Sequence, residues 1–280
     1  MPLTPERQSR AITPGRRIWP VKLDRRYIAP ALITLILIGA HWSAGVLRGY
    51  EAIALAIGAA LATDAAVGRW LMREKRPLAS AYISGISIGI LVRSPLLWPY
   101  ALGAAISILS KYVLRIGGRH LWNPSNFGIC VLLFLAPSTV APLSVQWGNA
   151  LWPMLVIWAI GIVAVWRAGR AHITLAYLAA FLAFAAIRSV ITGHTLLAEV
   201  APLTGPMYQL FALFMVTDPK TTVSSKLWGV VVVVIVAAVE TVLRLAEIVY
   251  APFYALFIVG PIAVSMEMML APRTAAVARA

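Results

Sequence analysis

The chain has 280 residues, 61% of them hydrophobic and 12% charged, with a mean hydropathy of +0.84; this excludes a soluble domain with one anchor and fits a polytopic membrane protein. A net charge of +14 would suggest nucleic acid in a soluble chain, but cytoplasmic loops of membrane proteins collect Lys and Arg, so the expected partner is the lipid bilayer and no nucleic acid. The single cysteine, Cys130, stands in an apolar run, which rules out an internal disulfide framework or a cysteine-ligated iron–sulfur cluster.

Residues 1–26 are polar and carry seven Lys/Arg, and no apolar run with a cleavage site precedes the first span; they read as a basic cytoplasmic tail and not as a removable signal peptide. A single transmembrane domain then covers 27–273. Its predicted segments are 27–47; 52–71, containing Asp64; a short 78–92, ended by Arg93-Ser94-Pro95; and 98–114. A basic loop lies at 73–76, and the polar turn 115–122 precedes Asn123-Pro124, which opens a fifth span to about residue 135. After the chargeless loop 136–144 come 145–165, 173–191, 203–216, 227–245 with five consecutive valines, and 250–270. Residues 274–280 form a second tail.

The segment 203–216 is almost wholly apolar and is stopped by Thr217-Asp218-Pro219. A span needs roughly 20 apolar residues, so this stretch reads as a half-helix whose tip lines a site at membrane depth. The pattern recurs. Ile90-Leu91-Val92-Arg93-Ser94-Pro95 resembles Phe214-Met215-Val216-Thr217-Asp218-Pro219 at an offset of 124, Tyr112-Val113-Leu114-Arg115 resembles Thr241-Val242-Leu243-Arg244 at 129, and Pro124 resembles Pro252 at 128. Five segments per copy is an odd number, so the copies must be inverted. The expected fold is therefore an all-α polytopic membrane protein of about ten segments in two inverted repeats (about 27–137 and 145–272), whose paired half-helices enter from opposite faces and meet tip to tip.

With the N-terminus inside, 20 of the 24 Lys/Arg fall on the cytoplasmic side, and only Arg48, Arg93, Arg188 and Arg244 remain outside. Both termini are therefore expected in the cytoplasm. Tryptophans 70, 98, 122, 147, 166 and 228 fall near span ends, as interfacial anchors do.

Asp218 beside a broken membrane helix is a site candidate by default, although Thr217-Asp218-Pro219 would equally serve to end a helix and start a turn. Asn123 and Pro124 are explained as an N-cap and a first-turn residue; Asn126, the preceding Gly117-Gly118, Lys111 and Arg119 are not. A helix N-terminus with amides and a lysine can hold a planar heterocycle or an anion. Asp64 needs a polar partner in the bundle, and a structural pairing competes there with an ion path. Glu240 and Arg244, four apart, read as a helical ion pair, and Glu267, near the cytoplasmic end, is expected to reach water. The four histidines share no metal-ligand spacing, and neither a hydrolytic triad nor a nucleotide-binding glycine loop is present.

Taken together, Ser110-Lys111-Tyr112, then Asn123-Pro124-Ser125-Asn126-Phe127-Gly128, then Thr217-Asp218-Pro219 with Thr221, resemble the RnfD/NqrB family. Its members are membrane components of the Rnf electron-transport complex and of the sodium-pumping NADH:quinone oxidoreductase, and the chain resembles both branches equally. The likeness runs over about residues 27–273, including an acidic residue at Asp64 and the closing Ala271-Pro272-Arg273. It implies a bacterial inner-membrane protein with a fold like that of urea and ammonium channels. It also implies non-covalent riboflavin or FMN in the membrane, held by Lys111, Asn123, Pro124, Asn126, Thr217, Asp218 and Thr221, with further membrane redox proteins and a quinone or iron–sulfur donor as partners. The family also esterifies FMN to a threonine in a Ser-Gly-Ala-Thr motif after the fifth span. No such motif exists here, only Ser138 and Thr139, so covalent FMN is not expected. Two other functions fit the same segments: a small-solute or ion channel or transporter, and an accessory membrane protein of a biosynthetic pathway.

Overall fold

The computed structural model describes residues 50–71, 78–142 and 151–277, with nine positions between 30 and 42; for residues 71, 151, 153 and 271–277 the backbone alone is described. The tail 1–26, most of the first span 27–47, the basic loop 73–76 and the start of the sixth span lie outside the described residues.

The first half is built from α1 (Tyr50–Ala66), α2 (Ala79–Leu91), α3 (Trp98–Val113) and α4 (Pro124–Leu135). α1 continues into a widened π turn, Val67–Leu71. α2 stops after 13 residues, where the chain straightens into β1 (Val92–Arg93). The Tyr100 hydroxyl accepts from the Ser94 amide (3.1 Å) and secures the turn at Arg93-Ser94-Pro95. β1 pairs antiparallel with β4 (Ala141–Pro142), beyond α4. Between α3 and α4, β2 (Arg115–Ile116) and β3 (Arg119–His120) form a hairpin. Its two-residue turn requires positive φ at both positions, which Gly117 (54°) and Gly118 (83°) supply.

The second half comprises α5 (Leu151–Arg167), α6 (Ala171–Thr192), a short α7 (Leu196–Val200), a 3₁₀ turn (Ala201–Thr204), α8 (Pro206–Leu210), α9 (Lys226–Leu245) and α10 (Ala251–Val277). α8 runs into a π turn, Phe211–Met215, and the helical path ends at Val216. The expected half-helices are thus both short and both end where Pro and polar residues follow.

Among the described residues, four helices are long and apolar enough to cross a membrane: Tyr50–Trp70, Ala171–Thr192, Lys226–Leu245 and Ala251–Leu270. At most 33% of each of these stretches is buried inside the protein, so apolar side chains such as Val190 and Val242 point outward, as a lipid-facing surface requires. Helices of 10–17 residues (Ala79–Leu91, Pro124–Leu135, Met154–Arg167, Pro206–Met215) lie among them.

Packing follows small residues. A Cβ on Gly85 would stand 2.7 Å from the Ile57 Cα, and one on Gly128 would stand 2.1 Å from the Ser107 Oγ, so α2 approaches α1, and α4 approaches α3, at backbone distance. Without a hydrophobic drive between helices in lipid, such close approach supplies the dispersion that holds them. α1 packs on α2 and α3, and α3 on α4; in the second half α6 packs on α9, and α9 on α10. α10 also packs on α4 and joins the halves. One apolar cluster runs through both, from Ile88, Ile108, Ile129 and Leu132 to Tyr177, Phe211, Val236 and Phe253.

Candidate functional site

α4 begins where Asn123 leaves the helical conformation (φ −61°, ψ 122°) and its side-chain oxygen accepts from the Asn126 amide at 3.1 Å. Pro124, in the first turn, has no amide to satisfy. Because the carbonyl side of Asn123 is spent on the cap, its amide nitrogen faces away, and Nδ2 donates to the Asp218 Oδ2 at 3.3 Å. Two motifs 95 residues apart therefore meet at one point, at the start of α4 and the end of the α8 half-helix.

Asp218 organises the break around itself. Oδ1 accepts from the Lys220 amide (3.0 Å) and Oδ2 also accepts from the Thr221 hydroxyl (3.2 Å). Its carbonyl receives the Thr221 and Thr222 amides. The Lys111 ammonium is near enough to interact electrostatically with the carboxylate. With its oxygens spent on the loop and on Asn123, Asp218 positions the junction and is not itself an open ligand.

Asn126 is the one predicted site residue with spare chemistry. It is buried; Nδ2 donates to the Phe253 carbonyl at 3.2 Å, while Oδ1 has no hydrogen-bond partner among the described residues. Such an orphaned buried acceptor costs about 1–3 kcal/mol unless something donates to it. On the same two chain segments, Trp122, Phe127 and Phe257 pack together, with ring centroids 5.5–5.7 Å apart. The Trp122 indole donates to the Phe257 carbonyl (2.9 Å). Pro261, four residues on, has no amide to bond that carbonyl within α10, so the indole takes the missing donor's place.

The other predicted residues are placed differently. Thr217 turns back and donates to the Leu213 carbonyl (2.6 Å). The Lys111 ammonium donates to the Ser80 carbonyl and hydroxyl (2.9 and 3.1 Å), tying α3 to the start of α2. Arg119 is bonded to the Glu267 carboxylate (2.7 Å) and the Thr222 carbonyl (2.7 Å). Glu267 does not simply reach water: it also takes the Ser224 amide at 2.6 Å, because the hairpin arginine and the loop before α9 converge on it. Asp64 has the polar partner its burial demands, the Tyr112 hydroxyl at 2.9 Å.

The expected tip-to-tip meeting of the half-helices is not what these contacts describe. The end of α2 pairs with Ala141–Pro142, and the end of the α8 segment is held by Asn123. Short helices followed by polar turns satisfy their last carbonyls locally, and each finds its nearest loop.

Sequence reasoning missed a second polar cluster. Glu240, fully buried, accepts from Tyr177 (2.7 Å), Tyr208 (2.6 Å) and, as expected, Arg244 (3.0 Å). Arg244 also bonds the Tyr208 hydroxyl. Arg188, fully buried, donates to Glu199 Oε2 (2.8 Å) and Thr241 (3.1 Å). A signal for it was present. The repeat offsets carry Asp64 to Arg188 (124) and Lys111 and Tyr112 to Glu240 and Thr241 (129). The Asp64–Tyr112 pair thus recurs as Arg188–Thr241.

No protein-family model matches the chain, and no curated protein matches it.

Proposed function

We propose that the chain is a membrane-embedded electron-transfer protein of the RnfD/NqrB kind, holding non-covalent riboflavin or FMN between two inverted repeats. The single observation that carries this reading is the Asn123–Asp218 bond, which draws together the two motifs on which the resemblance rests. The chemistry of the donor set fits a flavin edge. The ring N–H of a flavin would donate to the orphaned Asn126 Oδ1, and the aromatic group of Trp122, Phe127 and Phe257 offers a face for the ring.

When bound, the flavin supplies one- and two-electron chemistry, and the protein's part is binding and electrostatics. Asn126 accepts from the ring edge, Asn123 and Asp218 fix the start of α4, and Lys111 contributes positive charge nearby. Partners in this reading are other membrane redox proteins and, at the donor or acceptor side, a quinone. The inverted-repeat architecture of about ten segments is supported by the repeat-related pairs, and cytoplasmic termini in a bacterial inner membrane by the Lys/Arg asymmetry and the resemblance. Asp64 and Arg188, and Lys111 and Glu240, stand at the repeat offsets of 124 and 129 with opposite charge.

A second reading, a small-solute channel or transporter of the same fold, is favoured by a cavity of about 550 Å³ beside Arg188 and Arg244. An absorption spectrum separates the two. A flavin band at near-stoichiometric level in the purified protein, reduced in Asp218→Ala, is the expected result. A colourless protein that conducts a small solute in liposomes would support the channel, and flavin occupancy unchanged in Asp218→Ala would remove the site described here.

A further inference from the structure

The cavity of about 550 Å³ lies away from the Asn123–Asp218 junction, against the Glu240 and Arg188 clusters. Tyr208 and Arg244 line it at the ends of α8 and α9, and Pro142, Ile248 and Val249 give it an apolar wall. Ala198, Glu199 and Pro202 close it from the chain between α6 and α8.

That covering segment is built to move. It runs from residue 194 to 204 between two glycines. Gly193 ends α6 at φ 75°, and Gly205 precedes α8 in an extended conformation. None of the residues of α7 or of the 3₁₀ turn is buried, so little apolar packing holds the segment down. The Ser189 hydroxyl donates to the His194 carbonyl (2.6 Å) at its root, and beyond that Glu199 fastens it. Glu199 Oε2 accepts from the Arg188 Nε (2.8 Å), and its carbonyl accepts from the Arg188 Nη2 (3.2 Å). Glu199 Oε1 meets Thr192 (3.3 Å) and the His194 ring (3.2 Å). Arg188 cannot follow the segment outward, because its Nη1 is bonded to Thr241 in the core.

The hydrogen-bonding balance of the walls defines what enters. Both inner carboxylates are saturated: Glu199 by Arg188, Thr192 and His194, and Glu240 by Tyr177, Tyr208 and Arg244. Arg244 is not. Nε and Nη2 are spent, and the guanidinium carbon lies 5.6 and 5.2 Å from the centroids of the Phe181 and Tyr208 rings. Nη1 has no hydrogen bond among the described residues. Its side chain is 21% exposed and lines the cavity. Apart from the exposed Glu247, which also lines the cavity, an incoming group therefore meets a fixed, charged donor, no free inner acceptor, and an apolar wall. Those are the requirements of an anionic head on a short apolar body.

We propose that this cavity binds a small organic carboxylate, anchored on Arg244, and that residues 194–204 are its lid, clasped by Glu199 on Arg188. The site is separate from the flavin reading and stands or falls without it.

The test uses detergent-purified full-length protein with Leu245→Cys on the cavity wall, labelled by a charged thiol reagent. Native Cys130 is fully buried and gives the blank. Butyrate slows labelling of Leu245→Cys about fivefold at about four times its dissociation constant, since the free fraction falls with occupancy, and the neutral isostere butyramide does not. Equal effects of butyrate and butyramide, or protection by inorganic phosphate but not by butyrate, overturn the carboxylate assignment. Arg244→Gln abolishes protection. Because that change strands Glu240, the paired Glu240→Gln/Arg244→Gln variant repeats the measurement with both charges removed, and protection surviving in either variant overturns the anchor. Glu199→Gln, which removes the clasp charge, speeds labelling of Leu245→Cys severalfold; an unchanged rate overturns the lid.

Discussion

At Glu199 one carboxylate accepts from Arg188, Thr192 and His194. The Arg188 hydrogen bond, ahead of the opposing effect of burial, holds its pKa below the ordinary carboxylate value, with His194 and Thr192 adding to it. A carboxylate whose folded pKa is depressed stabilises the folded arrangement in full above its unfolded pKa of about 4.3, and that contribution is lost as pH falls through the lower, folded value. The labelling rate of Leu245→Cys relative to the same cysteine in Glu199→Gln is therefore expected to be low and constant near neutrality. It should rise toward unity on acidification below the usual carboxylate range, and a ratio flat across that range would count against the clasp. Little of this was legible in the sequence. Glu199 stands in a loop between two apolar runs, and only the reversal at Gly193 brings it back onto Arg188. Asn123, Pro124 and Asp218 were legible, because caps and helix stops are local chemistry. The bonding of Lys111 and Thr217 was not, since which neighbour a side chain reaches depends on packing.

Helix pairs here are set by glycine contacts. A Cβ at Gly85 would meet the Ile57 Cα at 2.7 Å and the Ala56 carbonyl at 2.9 Å, both backbone atoms that cannot swing away, whereas Gly58 has nothing within 4 Å. Gly85→Ala should therefore separate α1 from α2 and cost about 1–3 kcal/mol. Gly58→Ala should be neutral or stabilising by up to about 1 kcal/mol, through helix propensity alone. Thermal unfolding in detergent with the two variants side by side checks this, and equal melting points would refute the packing account. The breaks after Leu91 and Val216 were readable because Arg93-Ser94-Pro95 and Thr217-Asp218-Pro219 announce them. The π turns at Val67–Leu71 and Phe211–Met215 were not. A single widened turn changes which carbonyls are bonded without changing composition or period. The bounds of α4, Pro124–Leu135, were by contrast readable from its Asn-Pro start and the end of its apolar run.

For the molecule as a whole, the joint between halves is polar as well as apolar. The Arg119 hairpin reaches across to Glu267 on α10 (2.7 Å), with side chains 27% and 23% exposed, and both also hold the loop before α9. A double-mutant cycle of Arg119→Gln and Glu267→Gln should give a coupling of about 1 kcal/mol, the upper end for a partly exposed pair. Strictly additive losses would mean that the Arg119–Glu267 pair does not help to join the halves. Such long-range joints escape sequence reading because neither residue carries a local signature. The matching offsets were visible and included Thr241, but they were not carried to Arg188 or Glu240 and do not say what those residues bond.

The Trp122 indole on the Phe257 carbonyl spans 135 residues of chain and fills the gap that Pro261 leaves in α10. In hydrocarbon an unbonded carbonyl is expensive, so α10 is incomplete on its own. Its final donor was synthesised far earlier and must already be waiting in the bilayer. Order of synthesis and order of assembly then coincide, and α10 locks into a template that the earlier-made Trp122 has prepared.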